Sequence, residues 1–184
     1  MQRLKLFIPL IVFAVLAIFF FVVQKQIGSG AYDPQNMPSA LLDKPLPVFQ
    51  LPDLLSGATV ANAVLQDKVV LVNVWATWCP SCLYEHPYLL KLAQQGVLIV
   101  GVDYKDDAAK ARQWLQEKGN PYLAVLDDRA GTFGLDLGVT GAPETYLVDR
   151  SGTVRWRYQG PIDERVWSET LQPLLAKLTA AQGG

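Results

Sequence analysis

The stretch Val69-Val-Leu-Val-Asn-Val-Trp75, running on through Ala76-Thr-Trp-Cys79-Pro80-Ser-Cys82, decides the fold. Its first part is a nearly unbroken β-branched and aromatic run, the pattern of a central strand buried on both faces. Cys-Pro then marks a handover from strand to helix. Pro80 suits the first helical position, where an N–H would have no partner and a fixed φ presets the turn. A sulfur placed there sits among unpaired N–H groups at the positive end of the helix dipole, which favours the thiolate. Cys79 is therefore expected as the nucleophile with a lowered pKa, and Cys82, one turn deeper, as the resolving thiol.

The chain has only two cysteines among its 184 residues, separated by two positions. Such a pair cannot staple distant parts of a fold, so it reads as chemistry rather than scaffolding. His86 completes a Cys-x-x-Cys-x-x-x-His spacing, but with one His and two Cys in the whole chain a four-ligand zinc site lacks donors, so no metal is expected. A c-type haem site needs His directly after the second Cys, where Leu83 stands. An inert disulfide would leave an exposed helix-terminal position unexplained, and His86 is read as a surface or groove residue. The charged fraction is 18% and the net charge −1, with no Lys/Arg run to neutralise phosphates, which excludes nucleic-acid binding.

Leu6 to Val23 is an uncharged, almost wholly apolar stretch of 18 residues preceded by Arg3 and Lys5. As a helix it would extend about 27 Å, close to the hydrocarbon thickness of a bilayer. It is apolar all round, unlike an amphipathic core helix, and no small-x-small cleavage site follows it closely, so a retained anchor is expected in 1–24. The flanking positive charges place the N-terminus in the cytoplasm and the rest beyond a bacterial inner membrane, in the periplasm. Residues 25–40, rich in Gly, Pro, Ser, Asn and Gln, read as a tether, and 41–184 as one folded domain.

Within that domain Lys44–Pro52 reads as an edge strand or extended lead-in, Pro80–Gln95 as a helix kinked at Pro87, Val97–Val102 as a second buried strand and Asp106–Lys118 as a capped helix. Short strands follow at Tyr122–Leu126, Glu144–Val148 and Val154–Tyr158, and a last helix at Asp163–Ala181. Alternating strands and helices followed by a hairpin and helix predict a three-layer α/β fold with a mixed sheet.

Asn73-Val-Trp-Ala-Thr-Trp-Cys-Pro-Ser-Cys82 resembles the thioredoxin superfamily, and Gly138-Val-Thr-Gly-Ala-Pro-Glu-Thr-Tyr-Leu-Val-Asp149 is similar to its second signature, the loop with a cis-proline. With the apolar N-terminal stretch, Gly101-Val-Asp-Tyr-Lys-Asp-Asp107 and Glu144 after Pro143, the resemblance narrows to the cytochrome c maturation subgroup, the DsbE/CcmG type. It implies a thioredoxin-like fold and a periplasmic protein-disulfide reductase with no cofactor beyond its own Cys79–Cys82 pair. The implied electron donor is a membrane thiol transporter of the DsbD or CcdA type. The implied acceptor is apocytochrome c at its Cys-x-x-Cys-His sites, or a CcmH-type partner. Pro143 would be the cis-proline facing the cysteines, with Trp78, Pro80 and Ala142 on the substrate side. Asn73 stands where thioredoxins usually carry a buried Asp, so the proton of Cys82 needs another acceptor. Glu85, three residues on along the helix, and Glu144, beside Pro143, are the candidates. The same residues admit a general thiol reductase with another substrate, or a non-catalytic chaperone module.

Overall fold

A computed structural model describes residues 8–28 and 40–180. The chain divides into two units at Met37/Pro38. In the first, helix α1 covers Ile8–Gly28, with exposed apolar side chains from Leu10 to Val22. Its side chains are described for 9–25, and among the described residues no helix is long and apolar enough to cross a membrane. Residues 1–7 of the expected anchor and 29–39 of the expected tether lie outside the described residues.

The second unit is built on a five-stranded mixed sheet whose centre is β3, Val70–Trp75, buried at all six positions. The period of two sends Leu71, Asn73 and Trp75 to one face and Val70, Val72 and Val74 to the other. At about 1.5–3 kcal/mol for each large apolar side chain fully buried, this strand favours a sheet covered on both faces. Beside it runs β4, Ile99–Tyr104, in parallel, joined through helix α2, Pro80–Gln94. Next to β4 lies β5, Ala124–Asp128, again parallel and reached through α3, Ala108–Lys118. On the other side of β3 come β6, Glu144–Val148, and β7, Val154–Gln159, both antiparallel to their neighbours, giving the order β5-β4-β3-β6-β7.

Leu89 and Leu92 of α2, Ala111 and Leu115 of α3, and Trp167 and Leu171 near the C-terminus cover one face. Leu46, Phe49, Phe133 and Leu137 cover the other. The expected three-layer α/β architecture is thus the one observed.

Departures from the sequence expectation are local. Helix α2, with Pro87 inside it, ends within one residue of the expected boundary. Lys44–Pro52 is mostly irregular, and only its end, Gln50–Pro52, forms a strand, β1, antiparallel to an unforeseen β2 at Thr59–Ala61. A short helix α4, Thr132–Asp136, was also not expected. Asp128 caps it, accepting from the N–H groups of Phe133 and Gly134, a support supplied by the preceding strand. The last helix begins as α5, Glu164–Val166, capped by Asp163, widens to a π-turn at Trp167–Leu171 and ends as α6, Gln172–Ala180.

Where the domain begins, Asp43 N–H donates to Val154 O and Leu46 N–H to Gly152 O. Those partners lie at the start of β7, alongside the first residue of β3 (Val70↔Val148) and at the opposite end of the sheet from Trp75.

Candidate active site

Past Trp75 the chain leaves the sheet and Cys79 becomes the N-cap of α2, with Pro80 in the first turn. Cys79 and Cys82 are joined in a disulfide. Cys79 Sγ accepts from the backbone N–H of Cys82 at 3.1 Å, the contact that would hold negative charge once the sulfur is free. Ala142 and Pro143 are joined by a cis peptide bond, and the Ala142 carbonyl oxygen lies 3.3 Å from Cys79 Sγ. The two motifs, more than sixty residues apart in sequence, therefore meet at one end of β3 and β6. Contrary to the expected exposure, Cys79 is as buried as Cys82, each at 3%, because it sits in a notch between the exposed Trp78 and Pro80.

The turn is clasped from the β4 side. Thr77 donates its N–H and hydroxyl to the two carboxylate oxygens of Asp106 at 2.5 and 2.8 Å, and Trp78 Nε1–H donates to Lys105 O at 3.1 Å. Trp78 is half exposed beside the disulfide, whereas Trp75 is buried and stacked on Tyr122. Trp78 thus lies at the surface and Trp75 in the core.

The two candidate carboxylates prove different. Glu85 is 1% exposed and accepts from Ile162 N–H at 2.9 Å, while Asn73 Nδ2 lies 3.4 and 3.5 Å from its oxygens. Burial pushes its pKa up to about 8, opposed by those two donors. Glu144 is just as buried but lies in a ring of donors. Thr140 N–H and hydroxyl, Gly141 N–H and Gln159 serve Oε1; Tyr146 Oη–H and both Nε and Nη2 of Arg157 serve Oε2. Although burial alone would raise its pKa, these bonds and the Arg157 charge outweigh it and hold the carboxyl below its ordinary value. A carboxylate so satisfied is a poor proton acceptor. Its visible work is to tie the residues before Pro143 to β7.

His86 is also corrected: it is buried, with Nε2 2.9 Å from Gly119 O and Nδ1 accepting from Trp114 Nε1–H at 3.5 Å. It joins α2 to α3, and burial lowers its pKa.

Sequence reading missed three groups. Tyr122 donates its phenol to Asn73 Oδ1 at 3.1 Å, in space left by Gly101, where a Cβ would stand 2.9 Å from the tyrosine ring. Only the Asn-Pro-Tyr turn before β5 hinted at it. Asp103, opposite Trp75 in register, is buried with both oxygens unpartnered, and burial, then the charges of Asp106 and Asp127, push its pKa up to about 8. Ile162 N–H left no signal, since any residue supplies one.

The Redoxin family matches residues 41–172. The thiol:disulfide interchange protein DsbE of Haemophilus influenzae is 49% identical over 182 residues, 98% of this chain and all of its own length. Its namesake in Pseudomonas aeruginosa is 49% identical over 180 residues, 97% of this chain and 96% of that one. In Escherichia coli the figures are 48% over 179 residues and 96% of each. Among solved structures, a putative thioredoxin from Neisseria meningitidis superposes with a TM-score of 0.64 at 30% identity, over 75% of this chain and 93% of that one. A putative DsbE from Chlorobium tepidum gives 0.66 at 24% identity, over 78% and 99%, a likeness of fold. With a Cys-x-x-Cys disulfide at a helix N-terminus and near-full-length relatives of one kind, the chain belongs to the Redoxin family and is a thiol:disulfide oxidoreductase of the DsbE type.

Proposed function

We propose that this oxidoreductase works as a membrane-anchored periplasmic reductant in cytochrome c maturation, keeping the Cys-x-x-Cys-His thiols of apocytochrome c free for haem attachment, directly or through a CcmH-type partner. The observation that carries the reading is the Cys79–Cys82 disulfide at the N-terminus of α2, facing the Ala142–Pro143 bond.

In the reduced enzyme, Cys79 thiolate attacks one sulfur of the acceptor disulfide. A Cys79–acceptor disulfide forms and one acceptor thiolate leaves. Cys82 then gives its proton to Glu85 and attacks Cys79 Sγ, which closes the Cys79–Cys82 disulfide and frees the second acceptor thiol. Two electrons pass to the acceptor. A membrane dithiol of the DsbD or CcdA type returns them to the enzyme by the same exchange. Trp78, Pro80 and Ala142 form the rim on which the acceptor chain rests, and Pro143 faces the reacting sulfurs. Glu85 suits the proton step because it is buried three residues after the resolving thiol on the same helix, with its pKa pushed up to about 8 toward the range of a thiol. The anchor rests on the 18 uncharged residues Leu6–Val23 behind Arg3 and Lys5, which overlap the exposed apolar face of α1.

The test is to express the Cys82→Ser protein in its host, where a mixed disulfide on Cys79 cannot resolve, and identify the trapped partner. Apocytochrome c or a cytochrome-maturation protein in the adduct supports the reading. A broad mixture of periplasmic proteins would replace it with a general reductase. Cytochrome c formed normally with Cys79→Ser would point instead to a non-catalytic chaperone.

A further inference from the structure

Tyr122, Asn73, Thr145 and Glu85 form a row of buried polar groups linked to one another. Asn73, fully buried at the middle of β3, is its hub. Its Oδ1 accepts from the Tyr122 phenol at 3.1 Å, and its Nδ2 donates to Thr145 Oγ1 at 3.1 Å and points toward both oxygens of Glu85. An amide has two ways to sit in such a slot. With the nitrogen toward Glu85 it favours the carboxylate; reversed, its oxygen would face Glu85 and favour the protonated acid. The structure holds the first of these, with Oδ1 on the Tyr122 side and Tyr122 as its donor. Burial, then the charges of Glu85 and Asp103, raise its pKa far above the ordinary value, so its phenol stays protonated. As a donor it holds Oδ1 on its own side and polarises the amide toward Glu85.

We infer that Tyr122 is a positioning residue for the proton step: by donating to Asn73 Oδ1 it fixes the amide with its nitrogen toward Glu85, and so shifts Glu85 toward the carboxylate, the form that can receive a proton. The titratable groups around Glu85 are consistent with control by this neutral relay. On its own helix are Cys82, held in the disulfide, and His86, turned to Gly119 and Trp114. From the β5 side comes Tyr122 and, beyond it on β4, Asp103. Ile162 offers only its backbone N–H. The functional consequence rests on the proposed role of Glu85 toward Cys82, whereas the orientation of the amide does not.

The experiment follows the carboxyl carbon signal of Glu85 by NMR across pH in the oxidised full-length protein. Tyr122→Phe removes one hydroxyl and leaves the ring on Trp75. Freed from its donor, Oδ1 turns toward Glu85, and the Glu85 midpoint should rise from about 8 by about one pH unit, a tenfold change in proton affinity. Asn73→Leu removes the amide and should move the midpoint the same way. A midpoint that stays or falls in Tyr122→Phe overturns the inference. So does an unmoved midpoint in Asn73→Leu, the deciding variant if Tyr122→Phe does not fold. The pH profile of disulfide reduction separates the two readings: a Glu85→Gln profile identical to wild type, with the carboxyl midpoint still moved by Tyr122→Phe, removes Glu85 from turnover and leaves the positioning intact.

Discussion

Replacing Arg157 with methionine should cost the oxidised protein about 3 kcal/mol at pH 7.5. Arg157 and Glu144 form a buried ion pair, 7% and 1% exposed, with Nε and Nη2 donating to Oε2 at 3.0 and 2.8 Å. Methionine removes the guanidinium, whose Cζ lies 5.8 Å from the Tyr146 ring centre, and strands a carboxylate in the interior, a change that costs roughly 3–5 kcal/mol in buried pairs. The lower end applies because Oε1 keeps the Thr140 and Gly141 donors and Oε2 keeps the Tyr146 hydroxyl. The pH dependence is the sharper part. In wild type the folded-state pKa of Glu144 is depressed, so its contribution is present above the ordinary 4.5 and lost as pH falls through the folded value. Without Arg157 burial dominates, the folded pKa rises above 4.5, and a penalty grows as pH climbs past that point. Urea unfolding at pH 7.5 and pH 4.5, with the denaturant slope unchanged, should therefore give a loss that shrinks toward about 1 kcal/mol in acid. Adding Glu144→Gln to Arg157→Met should recover part of the loss at pH 7.5. A loss below about 1 kcal/mol at pH 7.5, or one equal at both pH values, would refute the argument that an uncompensated charge is responsible.

Glu85 predicts the opposite slope. Its folded pKa of about 8 exceeds the ordinary 4.5, so wild-type stability should fall as pH rises between those values, by at most about 1.4 kcal/mol per pH unit. Thermal unfolding of Glu85→Gln should lose that slope, and parallel wild-type and variant curves would exclude it. Gly134→Ala places a methyl 2.3 Å from Tyr104 Cε2, against a half-buried ring that must give way. A destabilisation of about 1–3 kcal/mol is expected, and a Tm equal to or above wild type would show that the ring moves freely.

How much of this was legible in the sequence follows from the range of each interaction. The central strand could be read because both its faces are buried, so Val69–Trp75 carries no polar interruption except Asn73. Cys79, Pro80 and Cys82 could be placed because a helix N-cap is a contact of three residues. The states of the two glutamates could not. Glu85 lies on a helix face that looks solvated until Ile162 closes over it from 77 residues away, and the partner that quiets Glu144 sits across the sheet at Arg157. His86 looks exposed for the same reason, since Gly119 and Trp114 belong to another helix. Helix α4 was hidden by brevity, because five residues containing Gly134 have no periodicity to detect.

The point at which the folded domain begins gives the sheet a mechanical polarity. A pull on residue 40 is taken up by Asp43 and Leu46 on the backbone at the start of β7, while the disulfide lies past the far end of β3. Six residues of strand separate the two ends, a lever of about 20 Å. Force entering through residue 40 would therefore load the β7 end of the sheet first, with the whole length of β3 between that end and the sulfurs.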